Sequence, residues 1–135
     1  MINMEFRGKS VYTGEWVYGD FRRKMVEYDD DMWEERSFIY VGTDHMVEVE
    51  VDEKTVGQYT GLNDKTGKEV YEKDITHSKY GARGGQILIV KEISIYGLVF
   101  ERIRGGIYFY SGLPQRDTIK VIGNIYDNPD LIGGI

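Results

Sequence analysis

Apolar and polar residues alternate with a period of two along much of this chain, the mark of strands that bury one face. The run 46–51 shows it most cleanly, with Val47, Val49 and Val51 expected inward and Glu48 and Glu50 in water. In 14–21, Trp16 and Tyr18 share one face. The run 86–91 (Gln-Ile-Leu-Ile-Val-Lys) is apolar almost throughout. It is too short for a useful helix and rich in β-branched residues, so it predicts a central strand. Residues 98–103 and 107–111 flank Arg104-Gly105-Gly106, and two glycines between strand-like runs signal a hairpin. A last strand is expected at 118–122. Seventeen glycines against two prolines allow many tight turns without breaking a sheet.

The segment from Arg22 to Arg36 breaks this pattern. Met25, Val26, Met32 and Trp33 sit at helical spacing, which would suit a short amphipathic helix. The charges oppose one: Arg22, Arg23 and Lys24 stand at the would-be N-terminus and Glu34 and Glu35 near the C-terminus, against the helix dipole. The segment is therefore expected to be a loop with extended flanks.

Length and composition narrow the picture. A chain of 135 residues, 41% hydrophobic and without repeats or low-complexity linkers, predicts a single domain spanning 1–135. There is no cysteine, which excludes disulfides and thiolate metal sites. His45 and His77 are far apart and lack a ligand pattern, so no metal is expected. No run approaches the roughly 20 apolar residues of a membrane span, and the first residues have neither the basic nor the apolar region of a secretory signal. A cytoplasmic protein without membrane contact is the expectation. The net charge of −6 is uneven: residues 1–74 hold 18 acidic and 10 basic residues, and residues 75–135 hold 5 acidic and 7 basic. An acidic whole disfavours non-specific nucleic-acid binding, while a local basic face on the second half remains open.

The most distinctive stretch is Val56-Gly57-Gln58-Tyr59-Thr60-Gly61-Leu62-Asn63-Asp64-Lys65-Thr66-Gly67-Lys68-Glu69-Val70-Tyr71-Glu72-Lys73-Asp74-Ile75. It predicts a short strand, a turn and a second strand. Gly57, Gly61 and Gly67 are expected in turns, with Asp64 capping one. Tyr59 and Tyr71 are expected to pack with their hydroxyls on backbone partners. The stretch resembles the hallmark of the YopX family of phage and prophage proteins. Phe6-Arg7-Gly8-Lys9 with Thr13-Gly14-Glu15-Trp16-Val17-Tyr18-Gly19-Asp20 is similar to the family's N-terminal motif. The run from Val121 to Leu131 is similar to its C-terminal signature. The family usually has Gly where Lys73 stands, which leaves open whether this chain makes a positive-φ turn there. The resemblance implies a mainly β fold, with bifurcated antiparallel sheets curled into a pseudo-barrel and little helix. It brings no activity, substrate or cofactor, and no cofactor is expected.

Candidate chemistry is sparse. Asp29, Asp30 and Asp31 with Glu27, Glu34 and Glu35 could offer carboxylates to a divalent cation, but the spacing is not that of a calcium loop and a solvated charged segment is expected. His77 and Ser78 are adjacent, so on a strand they point to opposite faces and cannot form a base–nucleophile pair. The 81–85 run, Gly-Ala-Arg-Gly-Gly, lacks a following helix to complete a phosphate cradle, and a flexible loop is expected. The strongest binding constellation is basic and aromatic: Lys79, Tyr80 and Arg83 in one loop, and Arg102, Arg104, Tyr108 and Tyr110 on one hairpin. Exposed, such a face could stack bases and hold phosphates. Otherwise the tyrosines belong to the core and the arginines pair with carboxylates. The expected function is a non-enzymatic phage or prophage accessory protein that binds a macromolecule (nucleic acid or a host protein) or self-assembles into a homo-oligomer through its edge strands. The alternative is a small-molecule-binding or hydrolytic β-barrel with its site in the barrel mouth.

Overall fold

The structure, a computed structural model, describes residues 5–42, 47–79, 86–91, 99–102, 107–109 and 119–133. All ten described strands pair antiparallel, and the chain forms two compact units, 1–58 and 59–135.

In the first unit, β1 (Phe6–Ser10), β2 (Trp16–Asp29), β3 (Met32–Val41) and β4 (Val47–Asn63) lie in the order β1-β2-β3-β4, and β1 pairs back onto β4. That last pairing, from Phe6 opposite Gln58 to Ser10 opposite Val51, closes a four-stranded barrel. Closure leaves no free edge where the four strands meet. Ile39 and Val51 fill the small interior, while Phe38, on the opposite face of β3, is buried beneath Lys24, whose Nζ lies 4.7 Å from its ring. Two glycines are set by close approach. A Cβ at Gly8 would lie 3.0 Å from the Val51 Cβ, and one at Gly19 would lie 2.0 Å from the Tyr40 carbonyl oxygen. Where β1 slips register against β4, the Thr55 hydroxyl accepts the Lys9 N–H at 2.8 Å and donates to the Asp52 carbonyl at 2.6 Å. Arg7, only 5% exposed, lays its guanidinium over the Trp16 ring at 4.5 Å.

The segment 22–36 is not the expected loop, and it is not a helix. β2 and β3 stay paired from Asp20 opposite Tyr40 to Asp29 opposite Met32. Only Asp30 and Asp31 turn, with Asp31 at φ 56°, a conformation aspartate tolerates better than most residues. Val47 also departs from expectation: it is 55% exposed, whereas Val49 is half-buried and Val51 is buried. Gly57 is a strand residue opposite Arg7 rather than a turn residue.

In the second unit, residues 59–63 of β4 pair with β5 (Glu69–Tyr71). A separate five-stranded sheet has the order β10-β6-β7-β8-β9, formed by β6 (Asp74–Ser78), β7 (Gln86–Val90), β8 (Val99–Arg102), β9 (Ile107–Phe109) and β10 (Ile119–Asn124). The apolar run 86–90 is its central strand, and β8 and β9 form the expected hairpin. Leu62, Val70, Leu88, Val90, Phe100, Ile119 and Val121 make one buried cluster.

Three polar devices hold this unit's turns. Asp64, 6% exposed, caps the turn after β4: its Oδ1 accepts the Thr66 N–H at 2.8 Å, the Thr66 hydroxyl at 2.7 Å and the Lys68 N–H at 3.0 Å. Its Oδ2 accepts the Val121 N–H of β10 at 2.8 Å, a partner 57 residues away. Lys73 takes the positive-φ turn despite its side chain, at φ 72°, with its N–H donating to the Val90 carbonyl at 2.8 Å. Asn124 accepts the Tyr126 and Asp127 N–H groups at 3.0 and 2.9 Å, ahead of a 3-10 turn, Pro129–Ile132. Gly67 does sit in the turn, at φ 89°, whereas Gly61 is a residue of β4, at φ 82° where the register against β5 is irregular. The tyrosine hydroxyls find side chains rather than backbone: Tyr59 donates to Asn63 Oδ1, and Tyr71 to Glu69 Oε2 at 2.9 Å.

Candidate functional site

The first unit's most distinctive surface is the far half of the β2–β3 hairpin. β1 leaves β2 after Gly19, and β4 joins β3 only from Ser37 onward. Among the described residues, 22–36 therefore form a two-stranded ribbon with no third strand on either edge. Isolated ribbons of this kind are only marginally stable. This one also exposes large apolar side chains: Met25, Tyr28, Met32 and Trp33 are each half exposed or more, between 50% and 56%. Register puts Met25 and Trp33 on one face of the ribbon and Met32 on the other, so apolar side chains stand exposed on both faces, as at interaction sites.

The ribbon is graded in charge. Its root carries Arg22, Arg23, Lys24 and Arg36. Its distal part carries Glu27, Asp29, Asp30, Asp31, Glu34 and Glu35. At the root, Lys24 Nζ lies 2.6 Å from Glu48 Oε2, which also accepts the Tyr40 hydroxyl at 2.5 Å. Lys24 and then Tyr40 hold the Glu48 carboxyl below its usual range, and Glu48 pushes both partners up. Arg23 pairs with Glu53, Arg36 pairs with Glu34 at 2.7 Å, and the Arg22 guanidinium lies 5.2 Å above the Tyr40 ring. At the tip, Glu27, Asp30 and Asp31 bring carboxylate oxygens within 4.8 Å of one another, all exposed. Asp29 and Glu27 accept turn N–H groups from Asp30 and Asp31. These six distal carboxylates belong to a turn and its flanks, the solvated charged segment that the sequence suggests.

The basic and aromatic residues of the second unit are placed only in part. Tyr80, Arg83, Arg104 and Tyr110 lie outside the described residues. Lys79 is exposed at the end of β6. Arg102 pairs with Leu88 and Tyr108 with Phe100, so both stand in the row of backbone positions that includes the buried Leu88, Val90 and Phe100. Register puts the end of β6, the start of β7, the end of β8 and the start of β9 at one end of the sheet.

A groove of about 570 Å³ runs over the first unit, lined by Lys9, Ser10, Glu35, Arg36, Glu50 and Asp52 among others. Its polar groups are engaged in holding the barrel. The Ser10 hydroxyl accepts the Tyr12 and Thr13 N–H groups at 3.1 and 3.2 Å, Asp52 Oδ1 accepts the Lys54 N–H at 3.1 Å, and Glu50 lies 3.7 Å from Arg36. No histidine lines it. Elsewhere, His77 and Ser78 are successive residues of β6 and leave opposite faces of the sheet. His45 lies outside the described residues. No helix among the described residues is long and apolar enough to cross a membrane.

Fold and surface together define an all-β protein, a closed four-stranded barrel with a second antiparallel sheet. Its standout surface is a charged, apolar ribbon. The chain belongs to the YopX family: the model of that family, described as YopX protein, matches residues 5–133. The crystal structure of protein EF1440 from Enterococcus faecalis shares the fold, at 20% identity and a TM-score of 0.54, over 97% of this chain and 99% of that one. No curated protein matches the chain. Sequence reasoning missed the ribbon because neither of its faces is buried, and it missed the burial of Arg7. The exposed Met25, Tyr28, Met32 and Trp33 inside a charged run were the available signal.

Proposed function

We propose that this chain is a non-enzymatic phage or prophage accessory protein that acts by binding a macromolecule, with the β2–β3 ribbon as its contact surface. The observation that carries this reading is the ribbon's combination of half-exposed Met25, Tyr28, Met32 and Trp33 with open strand edges. Aromatic and methionine side chains are the types most enriched at protein interfaces. An unpaired edge offers a ready row of backbone donors and acceptors. Self-assembly and capture of a host protein both fit such a surface. The phage setting is supported by membership of the YopX family, whose members resemble this chain from end to end.

The test is affinity capture from phage-infected or prophage-induced cells, reading proteins and nucleic acids together, with wild type beside a Met25→Ser, Trp33→Ser double variant. The expected result is a defined macromolecule held by wild type and lost with the variant. Retention of the same molecule by both proteins would refute the ribbon as the contact surface. If that molecule is nucleic acid and is released by Lys79→Glu, the contact lies on the second unit instead. Binding of single-stranded DNA would then weaken steeply with salt.

A further inference from the structure

Resting on that reading of the ribbon, we propose that its occupant is a second copy of this chain, joined through the outer edge of β2. The two free edges of the ribbon are chemically different. The β3 edge reads Met32-Trp33-Glu34-Glu35-Arg36, and antiparallel pairing with itself would set Glu34 against Glu34 or Glu35 against Glu35. Like charges directly opposite are destabilising. The β2 edge reads Arg22-Arg23-Lys24-Met25-Val26-Glu27-Tyr28-Asp29, basic, then apolar, then acidic. Antiparallel pairing of two such edges lays the basic end of each along the acidic end of the other, and parallel pairing would stack like on like.

A twofold axis allows one particular arrangement. Backbone donors and acceptors that face outward recur on alternate residues, so a strand pairing with its own copy must place the axis through a residue. With the axis at Met25, Met25 meets Met25, Arg23 falls opposite Glu27 of the second copy, and Lys24 falls opposite Val26. Arg23 and Glu27 then flank the paired methionines on one face, twice by symmetry. The contact is isologous, and it closes at two chains. Arg23 is half exposed where it now meets Glu53, and exposed pairs of that kind are weak, so the guanidinium is available to a stronger neighbour. Two marginal ribbons become one four-stranded sheet, which is the size at which a sheet stands by itself. The register shift between Glu27 and Asp29, which leaves Tyr28 as the extra residue, bends the strand beyond this segment and limits the pairing to it.

Charge exchange tests this directly. One variant carries Arg22→Glu and Arg23→Glu, the other Glu27→Lys and Asp29→Lys, each checked for a native circular dichroism spectrum and melt. Sedimentation equilibrium should give wild type at twice 15.6 kDa with rising concentration. Each variant alone should dimerise at least about tenfold more weakly, because like charges then face each other in both halves. An equimolar mixture should recover dimer, since the reversed root of one matches the reversed tip of the other. A wild type that stays at 15.6 kDa overturns the proposal, as does a dimer indifferent to both sets. Loss in both variants without recovery on mixing overturns it too. If wild type is monomeric while the Met25→Ser, Trp33→Ser variant still loses a captured partner, self-pairing fails and the ribbon as a binding surface stands.

Discussion

Replacing Asp64 tests how the second unit is held together, because one carboxylate gathers four donors from two distant stretches of chain. Three of them (the Thr66 N–H, the Thr66 hydroxyl and the Lys68 N–H) belong to the turn itself. The fourth, the Val121 N–H, ties that turn to β10. Hydrogen bonds to a charged group contribute about 1.5–3 kcal/mol each and do not add in full. Asp64→Ala, which strands the buried donors as well, should therefore cost about 3–5 kcal/mol. Against a typical total of about 5–15 kcal/mol that is a large share. Asp64→Asn is the sharper probe. It can keep Oδ1 for the three turn donors but points an N–H₂ at the Val121 N–H, so it should cost about 1–3 kcal/mol. Burial alone would push the Asp64 carboxyl up; the hydrogen bonds from Val121, Thr66 and Lys68 outweigh it and hold the carboxyl below its ordinary range. The group thus favours folding fully above the unfolded value, near about pH 4. That stabilisation is lost as pH falls from there through the lower folded value. Urea unfolding from pH 7 down to pH 3 should show the wild-type advantage over Asp64→Asn shrinking below about pH 4. An Asn variant within about 0.5 kcal/mol of wild type at pH 7, with the same slope in acid, would refute the reasoning.

Lys73 sits at φ 72°, where a side chain crowds its own backbone, so Lys73→Gly should raise stability by about 0.5–1 kcal/mol in thermal melts; a loss would mean the side chain's own contacts outweigh that strain. Gly19→Ala places a Cβ 2.0 Å from the Tyr40 carbonyl oxygen and should destabilise the first unit by at least about 2 kcal/mol, with perturbed amide shifts along β3. Gly123→Ala would meet Asn128 Oδ1 at 2.4 Å and should release the turn held by Asn124, seen as faster amide exchange at Tyr126 and Asp127. Glu48→Gln should lower the titration midpoint of the Tyr40 phenol, which the Glu48 carboxylate now pushes up, as followed by NMR; an unmoved midpoint would contradict the assigned contact.

The parts legible in the sequence were those where burial writes a pattern. The 86–90 strand, buried at the centre of its sheet, and the 47–51 strand both carried their signature. The turn capped by Asp64 and the antiparallel pairing of β8 with β9 were marked by residues whose chemistry suits turns. The ribbon left no such mark. With both faces in water its residues obey no alternation, and its turn is two aspartates rather than a glycine. Gly57 misled in the opposite sense, because a glycine can serve a buried strand as readily as a turn. Val47 misled because alternation continues to the end of a strand after burial has stopped. The tip carboxylates and the exposed aromatics were visible as residue types, but only the pairing of β2 with β3 brings them onto one projecting element.

The most direct measurement is amide hydrogen exchange along β2 and β3 at low and high protein concentration. The account predicts that amides of 22–29 on the outer edge of β2 slow markedly at high concentration, while those of 32–36 on the other edge do not. Exchange along β2 that is equally fast at both concentrations would contradict it.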